Sequence, residues 1–104
     1  MLIAKPLAVG DVVALKPLTG SDIIGRLAEA FKTGDEAVVL RKPVEAHVMQ
    51  TGGGGLGLAF SPLSLCAPDD HVFRIPRSGL LVDPFPCRDE VKKTYNEQTT
   101  SLKL

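Results

Sequence analysis

Apolar and polar residues alternate from Glu36 to Met49, and this alternation is the clearest secondary-structure signal in the chain. The alternation is interrupted at Lys42 and Pro43. The apolar residues Val38, Leu40, Val44, Ala46 and Val48 occupy even positions, and Arg41, Glu45 and His47 occupy odd ones. A period of two is typical of a β-strand with one buried face. Pro43 has no amide hydrogen for a neighbouring strand. We therefore expect a long strand with a bulge, a kink or an outward-facing edge position at Pro43.

Several shorter apolar runs end in turn residues and predict further strands. They are DVVALKP from Asp11, LGLAFSPLSLCAP from Leu56 with a bend at Pro62, HVFRIP from His71 and LLVDPFP from Leu80. The glycine run at 52–55 is expected to be a mobile loop between two of them. Five or six strands with short connections place the chain in the all-β class. The small size and the several bends favour a compact, partly open barrel.

The segment RDEVKKTYNEQTT near the end of the chain predicts a helix. Val91 and Tyr95 are four residues apart and share one face, and Asp89 and Glu90 would lie in the first turn, where the helix dipole favours negative charge. We expect a short C-terminal helix and a polar tail over about 87–104, frayed beyond about Gln98.

The stretch GSDIIGRLAEAF, residues 20–31, fits two structures. Ile23, Leu27 and Phe31 have helical spacing, but the same residues also lie on one face of a strand. Gly25 is costly inside a helix and useful where a strand bends sharply. Because the other elements are mostly strands, we favour a strand followed by a tight turn at TGD, residues 33–35.

Composition limits the functions that remain open. The 104 residues correspond to one domain, and 12 basic and 12 acidic side chains give a net charge of zero, so nucleic-acid binding would need a local patch. An uncharged stretch of about twenty residues between His47 and Asp69 has the length of a membrane span, but its run of four glycines and its two prolines argue against insertion. Cys66 and Cys87, with no export signal, indicate reduced thiols and a cytoplasmic protein.

The segments IIGRLAEAF and AVVLRKPVEAHV resemble the first motif of the Sm-like (LSm) family, with small Sm-like proteins of marine phage as similar examples. The matching positions are Gly25, Leu27, Phe31, Leu40 and Glu45, and RIPRSGLLV is faintly similar to the second motif. The resemblance covers about residues 10–83. It implies a single Sm-like domain over 1–104, with an SH3-like, partly open barrel of five bent antiparallel strands at about 10–86. It also implies assembly of identical subunits into a closed ring.

The same resemblance implies RNA binding with little base specificity. Arg74 and Arg77 flank the segment IP, where family members carry an arginine that helps hold a base; alternatively, both form ion pairs between subunits. The family's base-reading Asp and Asn should fall near 33–37, where TGDEA has no asparagine. SPLSLCAPDD, at 61–70, is expected to be an insertion in the fourth strand. A purely structural ring without nucleic acid is therefore the alternative function.

Other candidate chemistry is weaker. Gly52, Gly54 and Gly57 match G-x-G-x-x-G, but Pro62 stands where the required helix should run, so we expect a loop and no cofactor. No residues have metal-ligand spacing. Cys66 and His71 would allow a catalytic pair, but no third orienting group can be identified. We therefore expect a protein that is not an enzyme.

Overall fold

The computed structural model describes residues 7–50 and 52–100, which form an antiparallel β-sheet and one C-terminal helix. The strand interpretation of the stretch after Gly20 is confirmed. The elements are β1 (Val12–Leu15), β2 (Ile23–Leu27), β3 (Ala37–Gln50), β4 (Leu56–Pro62), β5 (Val72–Pro76), a 3₁₀ turn (Arg77–Gly79), β6 (Phe85–Pro86) and α1 (Asp89–Thr100).

Five of the strands lie side by side in the order β4-β3-β2-β1-β6, with β5 also paired to β3, and the sheet does not close on itself. The two halves of β3 have different outer partners: β5 pairs with 37–41 and β4 with 44–50. The connection at 63–71 separates these two strands and contains most of the predicted insertion SPLSLCAPDD. The described residues thus form six strands, one more than the five that the family resemblance implies.

The last strand is shorter than predicted. LLVDPFP forms only the two-residue β6, which pairs with Val13 and Ala14, and an isolated bridge between Leu80 and Pro17. Pro84 and Pro86 cannot donate amide hydrogen bonds, so they limit the pairing of this segment.

A sharp bend divides β3 at the place where the sequence predicts one. Lys42 has a positive φ of 48°, which is uncommon for a residue with a side chain, and the adjacent Pro43 is buried. The facing strand is irregular too, because the β2–β3 register shifts between Ile24 and Arg26. Gly25 lies at this shift, and a Cβ atom there would come within 2.9 Å of Leu40 Cδ1. The glycine thus permits a close approach of the two strands.

The tight turn at TGD is also confirmed. The amide of Asp35 donates to the carbonyl of Lys32 over 3.1 Å, and Gly34 has a φ of 103°. β2 ends at Leu27, and Phe31 makes only an isolated bridge with Leu7 before this turn begins.

Apolar side chains form two clusters on opposite faces of β1, whose four residues are all buried. The first cluster contains Val13, Leu15, Leu27, Phe31, Val38, Leu40 and Leu80. The second contains Val12, Ile24 and Tyr95, with Val44, Ala46, Phe60, Cys87 and Val91 packed against it. α1 therefore covers the second face of the sheet, as the shared face of Val91 and Tyr95 predicts.

Polar contacts also hold α1 in place. Arg26 on β2 donates one hydrogen bond to the Gly10 carbonyl and another to the side-chain oxygen of Asn96. The helix continues through Thr100, so fraying from Gln98 is not observed, and residues 101–104 of the predicted tail lie outside the described residues. In the part of the chain that the structure describes, no helix has the length and apolar character of a membrane span.

Candidate nucleic-acid interface and assembly edge

Arg74, the first predicted RNA-binding residue, lies exposed on β5 opposite Val39 of β3. Its side chain lines a cavity of about 280 Å³ between β5 and the β2–β3 turn, with the buried residues Phe31 and Val39 also in the lining. The structure therefore brings Arg74 beside residues 35–37, the part of the turn where the family resemblance places base recognition.

The turn that forms the other side of this cavity is fixed by hydrogen bonds. Asp35 Oδ2 accepts from the amide of Lys32 over 3.0 Å, and the amide of Arg77 donates to the Glu36 carbonyl over 2.8 Å. The second contact fastens the end of β5 to the start of β3. The cavity is thus bounded by backbone that is held in position on both sides.

Charge around Arg74 is unfavourable for phosphate. Glu29, Asp35 and Glu36 line the same cavity, so three acidic residues and one arginine surround it. Carboxylates accept hydrogen bonds from N–H donors but repel phosphate oxygens. The arrangement can accommodate a base edge or another N–H donor more readily than a phosphate group.

Arg77, the second predicted RNA-binding residue, is engaged inside the chain. Its Nε lies 2.6 Å from Asp83 Oδ1, and its Nη1 donates to the Leu80 carbonyl over 3.0 Å. Thr33 donates to the other carboxylate oxygen of Asp83 over 3.1 Å. Hydrogen bonds from Arg77 and Thr33 hold the pKa of Asp83 below its ordinary value. The two arginines, three residues apart, thus have different environments.

The hairpin formed by β3 and β4 exposes an apolar face. The cross-strand pairs Ala46–Phe60, Val48–Leu58 and Gln50–Leu56 share one face of this hairpin. The innermost pair, Ala46–Phe60, packs against the cluster that contains Tyr95. Farther out, Val48 is 69% exposed and Leu56 is 76% exposed. The outer edge of β4 has no partner strand among the described residues. The apolar face of the core therefore continues onto an uncovered edge of the sheet.

The opposite face of the hairpin carries a small polar cluster that sequence analysis missed. His47 points outward, and its Nε2 lies 3.0 Å from Ser61 Oγ while its Nδ1 lies 3.4 Å from Ser21 Oγ. Glu45 Oε2 is 3.7 Å from the same Nε2. The serines are distant in sequence from His47, so only the strand pairing could have predicted their contact. The cluster lies on an exposed sheet surface, where its side chains can also form hydrogen bonds with solvent.

The remaining candidate residues lie on or near the connection between β4 and β5. Cys66 is exposed, and its amide donates to Ser64 Oγ, whereas the His71 ring packs edge-on against Phe73 with 4.6 Å between centroids. His71 also lines a second cavity of about 420 Å³. Within 7–50 and 52–100, no group of three or more His, Cys, Asp or Glu side chains is placed to hold a metal ion.

Comparison with known proteins gives no match to any protein-family model and no match to a curated protein. The Sm-like resemblance, and the roles it implies for Arg74 and Arg77, therefore stay predictions.

Proposed function

We propose that this chain is a cytoplasmic, Sm-like subunit that assembles with identical copies into a closed ring. The observation that carries the proposal is the β3–β4 hairpin, which combines an unpaired strand edge with exposed apolar side chains at Val48 and Leu56. Edge strands of this kind are templates for pairing with another chain unless charge, proline or a covering segment protects them. Burial against a neighbour would also remove the exposed apolar surface from water.

A complementary edge lies at the other end of the sheet. β4 and β6 are the two terminal strands of the sheet order, and Leu81, Val82 and Phe85 near β6 are 61%, 45% and 40% exposed. Because Pro84 and Pro86 limit backbone pairing there, we expect the apolar face of the β4 edge of one subunit to contact these exposed side chains of the next, a head-to-tail arrangement. Such contacts form a ring when the rotation between subunits closes. The bent β3 and the two-layer core agree with an SH3-like, partly open barrel as the ring subunit.

The assembly is tested by light scattering on the purified chain over a range of micromolar concentrations. We expect a single mass several times that of the monomer. Leu56→Lys places a charge on the exposed edge and should shift the mass toward the monomer, while Leu18→Lys, in the turn after β1, is the matched control because Leu18 is 60% exposed. A monomeric wild type, or equal masses for both variants, contradicts the proposal.

RNA binding with little base specificity is the second candidate function, and it is favoured by the position of Arg74 beside the β2–β3 turn. In a ring, each subunit would present Arg74 on the same annular surface, so weak single contacts would add up through avidity. Arg74 is a better candidate than Arg77, whose guanidinium already pairs with Asp83. Zero net charge and the acidic residues around Arg74 limit the number of phosphates neutralised. Since each contacted phosphate of a single strand contributes about 0.7 to the log–log salt slope, the salt dependence per subunit should be weak.

The RNA test is a titration of fluorescent oligo-uridine and oligo-adenine at two salt concentrations. We expect similar affinities for both and weaker binding by Arg74→Ala, whereas Arg88→Ala, an exposed arginine before α1, should bind as the wild type does. Arg77→Ala should mainly lower stability, because it removes the partner of Asp83. If the assembled ring binds neither oligonucleotide at low salt, RNA binding is contradicted and the structural ring stays as the proposed function.

A further inference from the structure

The connection between β4 and β5 borders a cavity that neither proposed function uses. The cavity has a volume of about 420 Å³ and lies between the bend of β3, this connection, the start of β5 and the last turn of α1. Ligand pockets in proteins have volumes of about 300–1,000 Å³. The cavity is at the lower end of this range, so it has room for one small molecule.

Backbone hydrogen bonds hold the walls of this cavity in position. The amide of Leu63 donates to the Pro43 carbonyl over 3.2 Å, which joins the start of the connection to the bend of β3. At the other end of the connection, the amide of His71 donates to the Pro68 carbonyl over 3.0 Å. Because the walls are already fixed, a ligand would lose little binding free energy to ordering them.

The lining combines apolar surface with two aromatic rings. Pro43, Val44 and Leu65 contribute apolar groups, and Leu65 is 89% exposed, so a ligand that covers it would remove apolar surface from water. The rings of His71 and Phe73, which also line the cavity, pack edge-on with 4.6 Å between centroids and 86° between planes. Aromatic rings favour edge-to-face and offset contacts with further rings. The lining therefore favours an occupant with an aromatic group.

Two opposite charges line the same cavity without pairing with each other. Lys42 lies at the bend of β3 and Asp69 on the connection. Among the described residues, neither the Lys42 ammonium nor the Asp69 carboxylate has a hydrogen-bond or ion-pair partner. The hydroxyl groups of Ser64 and Thr99, in contrast, already form hydrogen bonds with the backbone. A ligand with one negative and one positive group can therefore contact both charges of the lining.

We propose that this cavity binds a free aromatic α-amino acid in its zwitterionic form. The ligand carboxylate pairs with Lys42, its ammonium group pairs with Asp69, and its ring lies against the rings of His71 and Phe73. Because Lys42 and Asp69 are exposed, each charge pair adds little affinity. Burial of the ring supplies most of the affinity, and the two charges select among ligands. The proposal does not depend on ring formation or on RNA binding.

A fluorescence titration with L-tryptophan tests the binding directly. The chain contains no tryptophan, so emission excited where tyrosine does not absorb reports only the ligand. We expect a saturable rise in its anisotropy as the protein is added. Indole-3-propionate lacks the ammonium group and tryptamine lacks the carboxylate, so each should bind several-fold more weakly than L-tryptophan. Absence of saturable binding, or equal affinities for the three compounds, would overturn the proposal.

Two variants assign each charge of the ligand to its partner in the cavity. Asp69→Asn should weaken L-tryptophan binding several-fold without weakening that of indole-3-propionate, and Lys42→Gln should weaken L-tryptophan binding without weakening that of tryptamine. Asp70→Asn and Lys93→Gln are the matched controls, because both residues are exposed and lie outside the lining; they should bind as the wild type does. If Asp69→Asn or Lys42→Gln weakens all three compounds equally, or binds L-tryptophan as its control does, the assigned charge contacts are wrong.

Competition tests the aromatic contact separately. L-phenylalanine should displace L-tryptophan from the wild-type protein at a several-fold lower concentration than L-leucine, because only the phenyl ring can pack against His71 and Phe73. Equal displacement by the two amino acids would overturn the assignment to an aromatic ligand.

Discussion

The hydroxyl group of Tyr95 on α1 donates a hydrogen bond to the backbone carbonyl of Lys42, with 2.8 Å between the oxygens. The same hydroxyl lies 3.3 Å from the carbonyl of Arg41, and the Tyr95 side chain is buried. Lys42 is the residue with positive φ at the bend of β3. The helix therefore supplies a donor to carbonyl groups at the point where the strand changes direction.

Tyr95→Phe should lower the free energy of unfolding by about 0.5–1.5 kcal/mol, because the carbonyl groups at the bend lose a hydrogen-bond donor while the ring remains. Urea unfolding followed by circular dichroism measures the change. Thr94→Val on the same helix is the control, since it removes only an exposed hydrogen bond to the Glu90 carbonyl. Its effect should stay within about 0.5 kcal/mol. Equal losses in both variants would show that the contact with Lys42 adds nothing specific.

The alkaline stability of the protein should depend on Tyr95. Burial raises the pKa of Tyr95 from 10.0 to about 12. A pKa raised by folding means that the neutral form is favoured in the native state, so the stabilisation is complete below the ordinary pKa and is lost as pH rises toward the folded value. We expect the midpoint of urea unfolding to fall between about pH 10 and 12, and this fall to be smaller in Tyr95→Phe. Both proteins should carry Cys87→Ala, because the Cys87 thiol titrates in the same range.

Gly25→Ala should destabilise the sheet by about 1–3 kcal/mol, which is typical of an added methyl group in a packed core. The new Cβ would lie 2.9 Å from Leu40 Cδ1 and 3.3 Å from Leu40 Cβ, and Leu40 is completely buried. Gly53→Ala in the β3–β4 loop is the control, because its Cβ would meet no atom within 4 Å. Thermal melts of both variants test the difference, and a neutral Gly25→Ala would mean that the strands separate at no cost.

Local pattern was sufficient to predict much of the fold. The period-two alternation predicted β3, Pro43 marked its bend, and the spacing of Val91 and Tyr95 predicted the covered face of α1. These features depend on residues close together in sequence, where strand and helix periods impose the pattern. The sequence could not show that β1 is buried on both faces, since its short apolar run fits a strand with one or two covered sides.

The surroundings of the candidate site were harder to predict, because they come from contacts distant in the chain. Arg74 and Arg77 look alike in sequence, but strand pairing exposes the first, and the path after the 3₁₀ turn brings Asp83 to the second. Glu29 lines the Arg74 cavity although it lies 45 positions before Arg74 in the chain. Spacing within the motif carries no information about such partners.

Asp83→Asn should remove an acid-dependent part of the stability. The pKa of Asp83 is held below its ordinary value by hydrogen bonds from Arg77 and Thr33. A depressed pKa stabilises the fold above the ordinary carboxyl pKa, and this contribution is lost as pH falls through the lower pKa of the folded state. We expect Asp83→Asn to lower the melting temperature at neutral pH and to narrow the difference from wild type in acid. Asp70→Asn, on an exposed turn, should match wild type at both pH values.

The two thiols should react at very different rates near neutral pH. Burial raises the pKa of Cys87 to about 11, and this half-buried side chain packs against the cluster that contains Tyr95, whereas Cys66 is exposed. Reaction with a thiol reagent requires the thiolate and access to it, so Cys87 should react only when α1 opens locally. We expect one fast and one slow phase, with Cys66→Ser removing the fast phase and Cys87→Ala the slow one.

Destabilising the attachment of α1 should then speed the slow phase alone. Tyr95→Phe weakens the contact between the helix and the bend of β3, so it raises the population of the open state from which Cys87 reacts. The Thr94→Val control keeps that contact and should leave both rates unchanged. A slow phase that is equally fast in wild type and Tyr95→Phe would show that Cys87 is reached without movement of α1, and its half-buried position would then have to be accessible from the β6 side.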